Sequence, residues 1–411
     1  MHVVIFEGSK WHTFAPLSLS RPVFCLASGT STLLEKQVRH LRPSRLTLWV
    51  RPGLADYCRR ELCAGKFDFP VAVNEPLDDE LAVVVSGRTL HFTADEPVKE
   101  PCVSLEEGNL IRKAVVKMPG LGQDDAMNRT DRWLKLFDLP KADEQARMAD
   151  HVWDLISWNE ESLMEDFVAL GRETGPKPTG PYHMVNDEDV WIGQGVRVEP
   201  GVVLDASKGP VMLAAGCSIG ANAVLKGPCY VGPNSQVKPL AIIHAGTSIG
   251  PVCKVGGEIK NSILTGFTNK SHEGYVGDSY IGEWVNLGAG TTTSNLKNTY
   301  SPVTVRVGSK TYETGRRTLG SLIGDHVKTA VGTRLMTGSY VGYSSMVATS
   351  AIPPTFVPSF TFLTDRGRED YRPDKAVEVM KAAYARRSKV WHDADESTVR
   401  YAREAATEAE K

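Results

Sequence analysis

The chain has 411 residues, long enough for two cores, and 47 Lys and Arg against 49 Asp and Glu leave a net charge of −2. So balanced a charge sets up no field for nucleic acid or an anionic membrane, and neither is expected as a partner. No stretch approaches 18 uninterrupted apolar residues, and the start "MHVVIFEGSKWH" lacks a signal peptide's basic start and apolar run, so the expected address is the cytoplasm.

Residues 1 to about 90 alternate strands and helices. "VVIF" (3–6) reads as a strand followed by the loop "EGSKWHTFAPLSLSRPV"; "TSTLLEKQVRHL" reads as a helix capped at Thr30 or Ser31. "LTLWV" (46–50) is a strand, "GLADYCRREL" a helix and "LAVVVSG" (81–87) another strand. Strands rich in Val, Leu and Ile that alternate with helices predict an α/β domain with a parallel sheet, binding ligands in the loops around Gly8 and Gly87. From 142 to 172, Met148, Val152, Leu155, Ile156, Leu163, Phe167 and Leu170 recur at helical spacing, and "ETGPKPTGPY" follows as a connector. Seven cysteines, at 25, 58, 63, 102, 217, 229 and 253, form no CxxC pair, so reduced thiols are expected rather than a disulfide framework or zinc site. Cys253 is a nucleophile candidate, against the plainer reading of a small buried apolar residue.

Beyond about 185 a six-residue rhythm begins: Ile192, Val198, Leu204, then Leu213, Ile219, Leu225 and onward to Val255. It recurs at Ile281 and Leu287, and at Ile323, Thr329, Leu335, Val341 and Val347. This period is neither helical nor that of a half-exposed strand. It predicts a solenoid of short strands and tight turns, one branched side chain per face pointing inward, each coil burying its apolar face on the next. Residues 256–280 drift out of phase and 294–320 form a polar insertion; both are expected as loops expelled from the solenoid. Helix is predicted from Pro373, with Val377, Met380 and Tyr384 on one stripe that caps the solenoid or packs on a neighbouring subunit. The charged end "ESTVRYAREAATEAEK" is expected to be helical and to fray.

Within the rhythm stands "GGEIKNSILTGFTNKSHEGYVGDSYIGEWVNLGAGTTTSN". The spacing of Glu258, Lys260, His272, Tyr275, Gly277-Asp278, Ile281-Gly282, Asn286, Gly288-Ala289-Gly290-Thr291 and Asn295 resembles the acetyltransferase half of the bifunctional GlmU family. Lys270 sits one place later than that family has it. The resemblance implies a left-handed parallel β-helix, acetyl-CoA as co-substrate, a sugar phosphate as acceptor, and a homotrimer with each site between two β-helices. It implies His272 as general base, Lys260, Tyr275, Asn286 and Asn295 as sugar-phosphate ligands with Glu258 beside them, and Ala289 at the acetyl carbonyl. A histidine suits the work, since the attacking amine must lose a proton near neutral pH. Arg316, Arg317 and Lys328 are candidate partners for coenzyme A phosphates, against solvated surface charge.

The departures fall on acceptor recognition and on the N-terminal part. Where the family has a phosphate-gripping arginine, the register here lands near Ile242 and His244; after Asn295 stands Leu296-Lys297-Asn298 instead of Tyr-Asp-Gly. The family's Gly-x-Gly-Thr-Arg-Met loop is reduced to Gly8 and Lys10, and its metal-binding Gly-Asp reads Gly87-Arg88. The N-terminal part is thus either a variant nucleotide site, with Gly8, Lys10, Arg21 and Arg88 meeting the phosphates of a nucleoside triphosphate and magnesium present if it is active, or a degenerate structural domain. The expected division is 1–141 nucleotidyltransferase-like, 142–184 helical linker, 185–365 β-helix acyltransferase and 366–411 helical tail. Two rival readings stand beside it: a nucleotidyltransferase whose β-helix serves oligomerisation, and a non-catalytic regulatory or scaffold protein.

Overall fold

The computed structural model describes residues 1–63, 65–78, 80–90, 100–106, 110–142, 146–171 and 175–411. Parts of the predicted linker (143–145 and 172–174) lie outside the described residues. The strand His2–Phe6 runs parallel to Arg45–Trp49 on one side and to Ala82–Ser86 on the other, with Val71–Val73 beyond Arg45–Trp49. Val3, Val4 and Ile5 are fully buried, as a strand covered on both faces requires. Two strands not picked out in the sequence, Cys102–Glu106 and Leu110–Val116, extend the sheet antiparallel from Ala82–Ser86, so one side of the sheet is mixed. The helix Leu33–Leu41 is capped by Thr32, one or two residues later than predicted. Thr32 accepts the Glu35 N–H while the Glu35 carboxylate accepts the Thr32 N–H at 2.8 Å, a reciprocal cap that neither Thr30 nor Ser31 can make.

Two helices, Val152–Ser157 and Asn159–Leu170, fill the junction between this sheet and the solenoid. Asn159, fully buried, accepts the Gly29 N–H at 2.6 Å and donates to the Gly246 carbonyl at 2.7 Å, touching both parts at once. Asp166, also buried, takes Lys36 at 2.6 Å and Arg39 at 2.5 Å.

The solenoid has three parallel walls in register, one of them nine strands long. Every residue of the six-residue rhythm is buried, from Ile192 to Val347. Residues 256–280 are not expelled: Ile259, Leu264, Lys270 and Val276 take the inward places, paired with Ile243, Ile249, Val255 and Ile259. Shorter corners, not a loop, put this stretch out of phase. The 294–320 insertion does leave the coil, forming an antiparallel pair, Thr304–Val307 with Lys310–Glu313, whose Val303 and Val305 are fully buried.

The C-terminal end does not fray. The helix Asp393–Ala409 buries Val399, Ala402, Ala405 and Ala406, and the Tyr401 ring covers Gly53 so closely that a Cβ there would meet it at 2.1 Å. Glu410 then accepts from the Tyr340 hydroxyl at 2.8 Å and the Ser359 N–H at 2.9 Å. Small alanines on one stripe let the helix approach closely; its charges lie mostly on the other faces, apart from the buried Asp395, which pairs with Arg60 at 2.8 Å. The helix packs on Pro373–Ala385 and on the N-terminal helix Ala55–Leu62 of its own chain. None of the seven cysteines is in a disulfide, and burial pushes Cys253 up to about 12, which removes it as a nucleophile. Among the described residues no helix is long and apolar enough to cross a membrane.

Candidate functional site

The corner that carries His272 is shaped by a lysine in an aliphatic position. Lys270 sits on Val255 in the adjacent coil and is 2% exposed. Its ammonium donates to the carbonyls of Gly256 at 3.0 Å, His272 at 2.5 Å and Glu273 at 3.2 Å, pinning the turn on which the exposed His272 stands. Burial lowers its pKa to about 8. With a folded value below the unfolded one, the folded chain binds fewer protons than the unfolded chain between about pH 8 and 10.5, so stability rises across that window. Replacement of Lys270 by Met is expected to remove a rise of order 1–3 kcal/mol; urea melts at pH 7.5 and 10 check it, and an unchanged slope refutes it.

Outward from the same wall, Lys254, Asn269, Asn286 and Lys328 occupy one position in four successive coils. A cavity of about 470 Å³ lies over this column, with His272 and Ala289 on its border. Arg386 and Arg387, directly after the helix Pro373–Ala385, close it from above, and Arg387 donates to the Asn269 amide oxygen at 2.8 Å. No carboxylate is among its described lining residues. Burial lowers Lys328 to about 8, and burial together with Arg387, Lys238 and Arg386 lowers Lys254. Uncompensated cations in a concave site are built for a polyanion.

Of the predicted coenzyme A residues, this cavity gathers Ala289 and Lys328 but not Arg316 or Arg317. Arg316 lies instead within the field of Asp154 and Asp278, its charge disfavoured by burial, and Arg317 stands exposed in the insertion. The arginine pair that does line the cavity was missed. Its signal, "YARRSKVW", was legible only as the end of a helix, because nothing local says which coil that end meets.

The predicted acceptor ligands divide. Asn286 belongs to the cationic cavity. Glu258 and Tyr275 are neighbours on adjacent strands, and Asn295 donates to the Tyr275 hydroxyl at 3.2 Å and to Asp278 at 2.5 Å. Burial raises Tyr275 to about 12, so its hydroxyl stays neutral. Lys260 borders a separate cavity of about 620 Å³ with Lys226, His244 and Asp278. His244 meets Glu258 at 3.0 Å, and Ile242 is exposed beside it. Asp278, held also by Asn261 at 2.7 Å, organises this patch, although the sequence marked it only as part of a motif.

In the N-terminal part, Gly8, Lys10 and Arg88 border a void of about 40 Å³, far below the few hundred a nucleotide needs. Lys10 and Arg88 both pair with Asp150, at 3.1 and 2.9 Å. Arg21 is not with them: it faces the solenoid, on Asp325 at 2.6 Å and Glu283 at 2.7 Å. Burial opposes its charge, but the two carboxylates more than offset this and hold it charged well above the usual range. The expectation that Arg21 meets nucleotide phosphates is therefore corrected; its partners are carboxylates of two successive solenoid coils. Magnesium fits poorly here. Glu106 is pushed up by burial and by Asp150, and the cations Lys10 and Arg88 already neutralise Asp150. Among the described residues no group of three metal-ligating side chains occurs anywhere.

Comparison with known proteins agrees with this architecture. A family model described as "Sugar nucleotidyl transferase" matches residues 3–174. A bifunctional sugar-1-phosphate nucleotidylyltransferase/acetyltransferase of Sulfurisphaera tokodaii is 36% identical over 121 residues, 29% of each chain. A bifunctional protein GlmU of Methanocaldococcus jannaschii is 36% identical over 141 residues, 34% of this chain and 33% of the relative. Another, from Synechococcus elongatus, is 27% identical over 206 residues, 46% of this chain and 41% of the relative. The chain thus spans less than half the length of the curated relatives it matches. By the matched sequence and the α/β-plus-solenoid architecture, the chain is similar to GlmU proteins, and its residues 3–174 match the sugar nucleotidyl transferase model.

Proposed function

We propose that the protein transfers an acetyl group from acetyl-CoA to the amine of an amino-sugar phosphate, with His272 as general base. The observation that carries this reading is the cavity of Lys254, Lys328, Arg386 and Arg387, with no carboxylate among its described lining residues and bordered by His272 and Ala289. The four cations suit the phosphates of coenzyme A, and the backbone at Ala289 faces the thioester. The amine nitrogen attacks the thioester carbonyl carbon while His272 takes its proton; the C–S bond then breaks and the thiolate leaves, to be protonated. Lys260 with its neighbour His244, and the Tyr275–Asn295–Asp278 network, serve the acceptor. The assembly in this reading is a homotrimer in the cytoplasm, which native mass spectrometry checks.

The test is thiol release from acetyl-CoA over a panel of amino sugars and their 1-phosphates; no release and no acetyl-CoA binding overturn the proposal. Losing both Arg386 and Arg387 to Ala is expected to raise the KM for acetyl-CoA about 10²–10⁴-fold, since charge-assisted hydrogen bonds contribute about 1.5–3 kcal/mol each. The small void at Gly8 and the pairing of Lys10 and Arg88 with Asp150 favour an N-terminal domain that no longer transfers nucleotides. Pyrophosphate release from any nucleoside triphosphate with a sugar 1-phosphate overturns that part and favours the rival nucleotidyltransferase reading.

A further inference from the structure

His272 stands on the corner 271–274, between the solenoid wall that carries Asn269 and the wall that carries Glu258 and Tyr275. The cationic cavity borders this corner on the first wall, and the predicted acceptor ligands lie on the second. A base shared by two substrates has to keep its place over that edge. His272 and Glu273 are both exposed, so their own side chains do not pack the corner into position.

The inward side chain at the foot of the corner is Lys270. In the preceding coils Val198, Ile219, Val237 and Val255 hold the same place, so an aliphatic residue would suffice for packing. What differs is the ammonium. Among the described residues no backbone N–H donates to the carbonyls of Gly256, His272 or Glu273, and Lys270 donates to all three. One of these carbonyls belongs to the corner of the coil before and two to the corner of His272, so a single cation joins successive corners. Gly257 completes the fit: its φ is +70, and a Cβ on it would meet the Lys270 nitrogen at 3.0 Å and the Gly274 carbonyl oxygen at 2.6 Å. Three charged donors aimed in three directions fix a turn as an apolar stem cannot.

We infer that Lys270 is a positioning residue for the base: its ammonium, rather than its stem, fixes the height and direction of His272 over the edge between donor and acceptor. Being 2% exposed, Lys270 meets neither substrate and acts only through the corner. The inference rests on the reading of His272 as general base.

The test is a double-mutant cycle on thiol release from acetyl-CoA, with Lys270→Met and His272→Ala made singly and together. Met keeps an apolar stem in the inward place and loses the charge and the donors. It is expected to lower kcat about 10–100-fold, since a misplacement of about 1 Å costs on the order of 100-fold, and to leave the KM for acetyl-CoA within about twofold. In the His272→Ala background the same change is expected to cost nothing further, because no base is left to position. Lys270→Gln, which keeps an amide donor, repeats the comparison for the case in which the Met variant does not fold, with thermal melts on every variant. If His272→Ala loses its rate while both Lys270 variants keep theirs, or lose the same factor with and without His272, the positioning role is overturned and the base stands. If His272→Ala keeps the wild-type rate, or the wild type releases no thiol, the reading of His272 as base falls and takes this inference with it.

Discussion

Replacing His272 by Ala is expected to lower thiol release from acetyl-CoA by about 10²–10⁴-fold, the contribution typical of a positioned general base. The melting temperature should not move. The His272 ring is exposed, so its removal opens no cavity. The turn beneath it is held by backbone and by Lys270, not by the imidazole. It also rests directly on the next coil: a Cβ on Gly274, which has φ +114, would meet the Thr291 carbonyl oxygen at 2.2 Å. Gly274→Ala should accordingly displace the base and reproduce much of the rate loss. A His272→Ala protein that keeps its rate would show that another group takes the proton.

The largest effect on stability is expected from Arg21→Met. Arg21 and Asp325 are 7% and 2% exposed, and Asp325 also receives the Ser20 hydroxyl at 2.5 Å and the Glu283 N–H at 2.7 Å. Removing one partner of a buried pair strands the other charge, at a cost of about 3–5 kcal/mol. Burial already pushes the Asp325 carboxyl up, and loss of the guanidinium pushes it further. An acid with a raised folded pKa binds more protons folded than unfolded above its unfolded value, so the variant should lose stability as the pH rises from 5 to 8. Arg21→Met with Asp325→Asn should recover a large part of the loss. Urea melts of the single and double variants at both pH values decide it. A single variant as stable as the wild type would mean that Arg21 does not tie the domains together.

How the site could be read depended on range. Glu258, Lys260, His272, Tyr275 and Asn295 fall within about forty residues of a repetitive coil, whose register places Glu258 and Lys260 on the strand beside that of Tyr275. Lys270 was visible as a residue out of step with the family pattern, but its inward position was not, because the shortened corners between 256 and 280 hide the rhythm. Arg387 reaches Asn269 across more than a hundred residues, and Arg21 reaches Asp325 across about three hundred. No local pattern marks such partners.

The amino-acid sequence alone determined the alternating strands and helices of the first ninety residues, the solenoid, and the helical nature of the C-terminal end. Each follows from a short apolar period or a local cap, which neighbouring residues specify by themselves. Only the tertiary structure decided that the charged last helix docks, that Arg21 serves an ion pair between domains, and that a basic pair from that end completes the cavity at His272. These outcomes depend on desolvation and on charges brought together by packing, which exist only once the solenoid and the N-terminal sheet share an interface.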